Sequence, residues 1–185
     1  PVTAETGTCY APVTVDPPTF NDPCSTTSYT IENDFNHTNN ATDSYPVGTT
    51  IVTWTITDNS GKIYTCEQEV VVEDIPPTID CPEDTIFLAD ENVDYKDNVT
   101  LDDPTYADNC PNPIVEWTRV DPDGTTTHSS STGMNFIPNP GRYSIGVTTI
   151  TYKITDSSGL TDECSFTVTV LGKPEIECPP TYEAP

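Results

Sequence analysis

The residues with the most chemical reach are seven cysteines, two histidines and 30 carboxylates. Cys9, Cys24, Cys66, Cys81, Cys110, Cys164 and Cys178 lie far apart, with no CxxC pair. His37 and His128 fall near no cysteine at ligand spacing, so a zinc centre has no framework here. Seven cysteines beside a single methionine read instead as disulfides formed in an oxidising compartment. Neither histidine sits in a nucleophile motif, and no GxSxG or HExxH occurs. A glycosidase needs only two carboxylates, but the acids here fall in turns and linkers. No enzyme is read from them.

Thirty acidic side chains against six basic ones give a formal charge of −24. Nothing in that balance could neutralise phosphates, which excludes DNA and RNA as partners. An anionic membrane surface is equally disfavoured. The charge favours solubility, self-repulsion along an array and attraction of divalent cations. No apolar run approaches the roughly 20 residues that span a bilayer, so no membrane insertion is expected of this segment. The chain opens on Pro1 without a signal peptide, as a piece of a longer displayed or secreted protein would. Its 185 residues leave room for two modest domains.

What must position these residues is an internal repeat. Ile51 to Gly61 (IVTWTITDNSG) matches the stretch from Ile150 to Gly159 (ITYKITDSSG), with Asp58 and Asp156, Gly61 and Gly159, and Cys66 and Cys164 each 98 positions apart. Asp80-Cys81-Pro82 returns as Glu177-Cys178-Pro179 after 97. Upstream, Pro18-Thr-Phe-Asn-Asp-Pro-Cys24 parallels Pro104-Thr-Tyr-Ala-Asp-Asn-Cys110 at a spacing of 86, which is 12 fewer than 98. The second copy therefore carries an insertion, placed in the Pro-, Gly-, Ser- and Thr-rich stretch 121–141, read as a long loop. The organisation expected is a first repeat at 1–75 lacking its leading strand, a second at 76–172, and the leading strand of a third at 173–185. An open sheet edge in the first repeat could take that last strand from a neighbouring molecule.

Val52, Trp54 and Ile56 alternate with threonines, and Ile150, Tyr152 and Ile154 repeat the stripe. Cys164, Phe166, Val168 and Val170 should face a core, as should Cys66, Val70 and Val72. Trp54 and Trp117 are read as core residues. Asp58-Asn-Ser-Gly61 and Asp156-Ser-Ser-Gly159 are turns. No segment holds a helical period. Short strands between such turns make an all-β sandwich.

These motifs resemble a known family. Pro-Pro-x-Ile-x-Cys-Pro (Pro76 to Pro82), Asp108-Asn109-Cys110, the run from Gly146 to Gly159 and Cys164-Ser-Phe-Thr-Val-Thr-Val170 are similar to a hyalin repeat (HYR) domain, and the first copy follows from Cys9 on. The resemblance implies tandem immunoglobulin-like β-sandwiches serving cell adhesion. Acidic, threonine-rich arrays of this kind also resemble giant surface adhesins of Bacteroidetes, including those of gliding motility. The implied place is extracellular, at the cell surface. The implied role is a spacer or stalk, partnered by neighbouring repeats and by surface polysaccharide or another cell-surface protein.

In such a sandwich the resemblance implies the disulfides Cys24–Cys66 and Cys110–Cys164, with Cys9–Cys81 across the handover between copies and Cys178 left over. It also brings Asp108, Asp156, Asp74 and Glu73 to one end, with Asp22 and Asp58 as the parallel set in the first copy. Oxygen donors so gathered suit Ca²⁺, which takes six to eight. Read otherwise, they are turn aspartates on a solvated surface, because no DxDxDG loop is present. The alternative function is a carbohydrate- or ligand-binding module using the 121–141 loop, with Phe136 and Tyr143 as aromatic contacts. Asn36, Asn40 and Asn98 open glycosylation sequons, meaningful in a eukaryotic protein only.

Overall fold

The computed structural model describes residues 1–21, 29–130 and 132–174. Asp22, Cys24 and Cys178 lie outside them. The described residues form 15 strands and no helix, so no helix is long and apolar enough to cross a membrane, which says nothing of strands. Contacts divide the chain into two compact units.

The first unit comprises residues 1–77, 107–113 and 156–160. Its strands are β1 (Val2–Thr3), β2 (Tyr10–Val13), β3 (Thr30–Asn33), β4 (Asp43–Pro46), β5 (Gly48–Thr57) and β6 (Ile63–Glu73). One sheet runs β1-β6-β5-β3 and a second pairs β2 with β4. Between them Tyr45, Val52, Trp54, Val70 and Val72 are buried, and Phe35 stacks on Tyr45 at 4.2 Å between ring centres. The indole N–H of Trp54 donates to Gln68 Oε1 at 2.9 Å, so the ring is buried without stranding its one polar group. Threonines between the apolar positions of β5 take the other face, as pleat alternation requires.

The second unit comprises residues 78–106, 114–155 and 161–185. Its strands are β7 (Thr78–Asp80), β8 (Thr85–Leu88), β9 (Tyr95–Val99), β10 (Thr105–Ala107), β11 (Ile114–Val120), β12 (Thr126–His128), β13 (Gly141–Ser144), β14 (Gly146–Thr155) and β15 (Thr161–Leu171). The main sheet runs β12-β11-β14-β15-β8, with the pairs β13-β9 and β10-β7 beside it. Ile150, Tyr152, Ile154, Phe166, Val168 and Val170 form the core with Val115, Tyr143 and Ile79, while Trp117 is only partly buried against it. The Tyr152 hydroxyl accepts the buried Ile137 amide at 3.1 Å. Gly48 and Gly146, which open the equivalent strands β5 and β14, have φ of 103° and 120°. Those values favour glycine; at Gly146 an added Cβ would also stand 2.7 Å from Pro122.

Two expectations need amending. The 121–141 stretch is not loop throughout: β12 folds back antiparallel on β11, pairing His128 with Thr118. And Cys66, although on the core-facing parity of β6 with Val70 and Val72, is exposed.

A buried carboxylate cluster as the candidate site

Three segments remote in sequence supply the candidate site, all within the first unit. The first is Asp74, immediately after β6. The second is the segment 107–113, carrying Asp108, Asn109 and Cys110. The third is the Asp156–Leu160 turn.

A disulfide holds the second segment. Cys110 bonds Cys9, with Cα atoms 4.7 Å apart, and Cys81 bonds Cys164 at 5.6 Å. The expected Cys110–Cys164 and Cys9–Cys81 bonds are therefore corrected. The physical reason lies in where the segments pack. Residues 107–113 belong with the first unit, which brings Cys110 to Cys9. Strand β7 lies against β14 and β15, which brings Cys81, just after it, to Cys164. Cys66 keeps a free thiol. Its expected partner Cys24 lies outside the described residues.

The turn is built by Asp156. Its Oδ1 accepts the Ser158 amide at 3.0 Å, the Ser158 hydroxyl at 2.9 Å and the Leu160 amide at 2.8 Å. An Asx turn of this kind replaces backbone pairing with side-chain acceptance. Asp58 does the same in the first copy, taking Ser60 and Lys62. The Ser60 hydroxyl and Lys62 amide hold its carboxyl below the usual range.

The two aspartates then part ways. Asp156 is only 5% exposed, and its Oδ2 meets no donor; both oxygens of Asp108 and the Oδ1 of Asn109, itself 4% exposed, are likewise buried without one. Asn109 is oriented by donating its amide to Asp74 Oδ1 at 3.0 Å. Burial pushes the Asp108 carboxyl above its ordinary value. The Cys110 amide pulls the other way without reaching hydrogen-bond geometry, and the charges of Asp156 and Asp74 add to the rise.

Of the six carboxylates expected to ligate metal, Asp74, Asp108 and Asp156 are brought together. Glu73 is exposed at the end of β6, where it pairs with Thr3 and its backbone carbonyl accepts the Ala4 amide. Asp58 is spent on its own turn, and Asp22 lies outside the described residues. Asn109 and Ser158 are the members that sequence reasoning missed. Their signal was there, in the DNC triplet and in the Asp-Ser-Ser-Gly turn. Four orphaned oxygen atoms and no free donor make a set of hard lone pairs, the chemistry of an oxygen-seeking cation. Among the described residues, no group of three or more His, Cys, Asp or Glu is arranged to hold an ion as it stands.

The aromatic residues of the alternative site turn inward. Tyr143 is fully buried with the Arg119 guanidinium 4.2 Å from its ring centre, and Phe136 packs on the core edge-on to Tyr152.

The HYR domain family matches residues 2–72 and 114–170, more than half of the chain. This chain belongs to the HYR domain family. It is 30% identical over 151 residues to hyalin of Strongylocentrotus purpuratus, covering 74% of this chain but 11% of that protein. The HYR chain is also similar to the protocadherin gammaB7 EC3-6 cis-dimer structure (16% identity, TM-score 0.32, covering 77% of this chain and 40% of that one). A second similarity is to Drosophila N-cadherin EC1-4 (13% identity, TM-score 0.29, 92% and 48%). Likenesses that distant say nothing of what this chain binds. HYR is an adhesion-type rather than an enzyme family, and with its two disulfides this HYR chain is an adhesion-type extracellular module.

Proposed function

We propose that this chain is a structural and adhesive segment of a long cell-surface protein, and that Ca²⁺ orders its first unit at Asp74, Asp108 and Asp156. The observation that supports it is the set of buried oxygens without donors on Asp108, Asn109 and Asp156. A buried carboxylate with no counter-charge is costly, so such a set is kept only where something cationic repays it. Asp74, Asp108, Asn109 and Asp156 would hold the ion, which would supply positive charge and cross-link three segments. The residues 1–75 and 76–172 act as repeats in an array, with 173–185 leading into a third, and the acidic surface keeps the array soluble and extended by self-repulsion. The partners are neighbouring repeats and surface polysaccharide or protein. The narrower reading, a gliding-motility adhesin of a bacterium, rests on the acidic, threonine-rich tandem composition alone. Loss of surface attachment on deleting these repeats from the parent would support it.

The test of the calcium reading is a pair of thermal melts under non-reducing conditions, in chelator and in millimolar calcium. An ion at one hundred times its Kd adds about 2.7 kcal/mol, or roughly 10–20 °C in a unit of this size. Superimposable melts would defeat the reading and leave the acids as surface charge.

A further inference from the structure

The main sheet of the second unit ends on two unlike edges. One is β12, where Thr126, Thr127 and His128 are all polar. The other is β8, which pairs with β15 in unbroken parallel register and has no strand on its far side among the described residues. An open edge leaves a row of backbone donors and acceptors unpaired, and natural sheets blunt it with lysine, proline or a bulge. Short as it is, β8 carries none of these, and its outward side chains Ile86 and Leu88 are 70% and 56% exposed. Ile86 stands beside Thr169, and Leu88 beside the exposed Leu171. The exposed Val147 flanks Thr169 on β14, so the apolar surface continues across three strands.

Where β8 begins, the inner side of the same edge opens into a cavity of about 460 Å³, lined in part by Thr85. Leu101 and Phe166 give it an apolar lining, while Asp80, Glu83, Asp84, Asp102 and Asp103 ring it with carboxylates. No lysine or arginine lines it. Asp84 is fixed by accepting the Thr167 amide at 2.7 Å, and the other four acids are exposed. Among the described residues no three acids are arranged to share a metal ion. Carboxylates spread in this way suit cationic side chains spaced along a chain. The counterpart of Phe166 in the first copy, 98 positions earlier, is Gln68, so the apolar lining belongs to the second copy.

We propose that the β8 edge and its acidic cavity are a docking site for an extended segment of another protein, in which apolar residues alternate with lysine or arginine. The segment adds to the sheet beside β8. Its apolar side chains cover Ile86 and Leu88. Its cationic side chains, on the alternate face, enter the cavity with their stems along Leu101 and Phe166 and their charges at the carboxylates. Charge selects the occupant. A second copy of this chain would set −24 against −24 and one ring of carboxylates against another. The proposal rests on the adhesive reading for there being a protein partner, and it uses none of the calcium ligands.

The experiment titrates the chain with a short fluorescent peptide of alternating lysine and valine, read by anisotropy in chelator and in calcium. The same peptide N-methylated along its backbone has equal charge and cannot pair with a strand. One-to-one binding is expected, weakened about tenfold by N-methylation or by Ile86→Ser. Asp102→Asn with Asp103→Asn should weaken it about fivefold, whereas Glu67→Gln with Glu69→Gln, which removes the same charge from exposed positions of the first unit, should change it less than about twofold. Binding indifferent to methylation and to Ile86 is charge attraction alone and overturns the proposal. So does equal loss in the two charge variants, or no binding at all. A chain that binds no peptide but whose deletion still abolishes surface attachment loses this site and keeps the adhesive reading.

Discussion

Asp74 and Asp156 share one proton donor. The Ser158 hydroxyl lies within hydrogen-bond reach of Asp74 Oδ2 and of Asp156 Oδ1, but a hydroxyl carries a single proton. One of the two carboxylates is always left with a lone pair facing another acceptor. With Asp108 beside them, that is a concentration of negative charge with no lysine or arginine ion-paired to it among the described residues.

The first prediction follows from that imbalance. Asp108→Asn removes a buried charge that has no hydrogen-bond partner, so in chelator it should leave the melting midpoint unchanged or raise it. In calcium the same variant should lose most of the calcium-dependent rise. Differential scanning calorimetry in both buffers reads the two effects separately, and a variant less stable in chelator would show that Asp108 is satisfied by the protein.

The pH dependence has a definite sign. Burial raises the folded Asp108 carboxyl above 3.8. Between those two values the native state binds the extra proton, so the contribution of this group is greatest at the acid end and is lost as pH rises through the folded value. Asp90 and Asp97 run oppositely. The Lys96 ammonium and the Arg142 guanidinium hold their carboxyls low, so their contribution is present above the unfolded value and lost as pH falls through the folded one. Midpoints of wild type and Asp108→Asn in chelator should converge as pH falls from neutral towards 3.8, and the calcium response should fade over the same range.

The disulfides should separate by function. Cys9–Cys110 and Cys81–Cys164 span 101 and 83 residues, each about 4–5 kcal/mol in the chain-entropy picture. Cys110→Ser frees the segment that carries Asp108 and Asn109, so it should abolish the calcium response as well as lower stability. Cys164→Ser should lower stability and leave that response in place. Isothermal titration with calcium distinguishes the two variants.

Tyr152→Phe keeps the ring and removes the acceptor of the buried Ile137 amide. An orphaned buried donor costs about 1–3 kcal/mol. Urea unfolding monitored on the second unit should show a loss of that order. No change would mean that the amide finds another partner.

Much of the fold was legible in the chain because strand alternation is a local property. The inward set Val52, Trp54 and Ile56 and its repeat at Ile150, Tyr152 and Ile154 follow from the two-residue period of a pleated strand and are buried as read. The turns at Asp58 and Asp156 were equally plain, since an aspartate accepts its own downstream amides whatever surrounds it. Which cysteines meet was not legible. That depends on segments 107–113 joining the first unit and on β7 lying against β15, and neither is encoded by spacing. Asp58 and Asp156 show the same division. Sequence alone makes them equivalent turn builders, and only the tertiary structure buries Asp156 beside Asp74 and Asp108 while leaving Asp58 half-exposed, because charge clustering is decided by what packs against a turn and not by the turn itself.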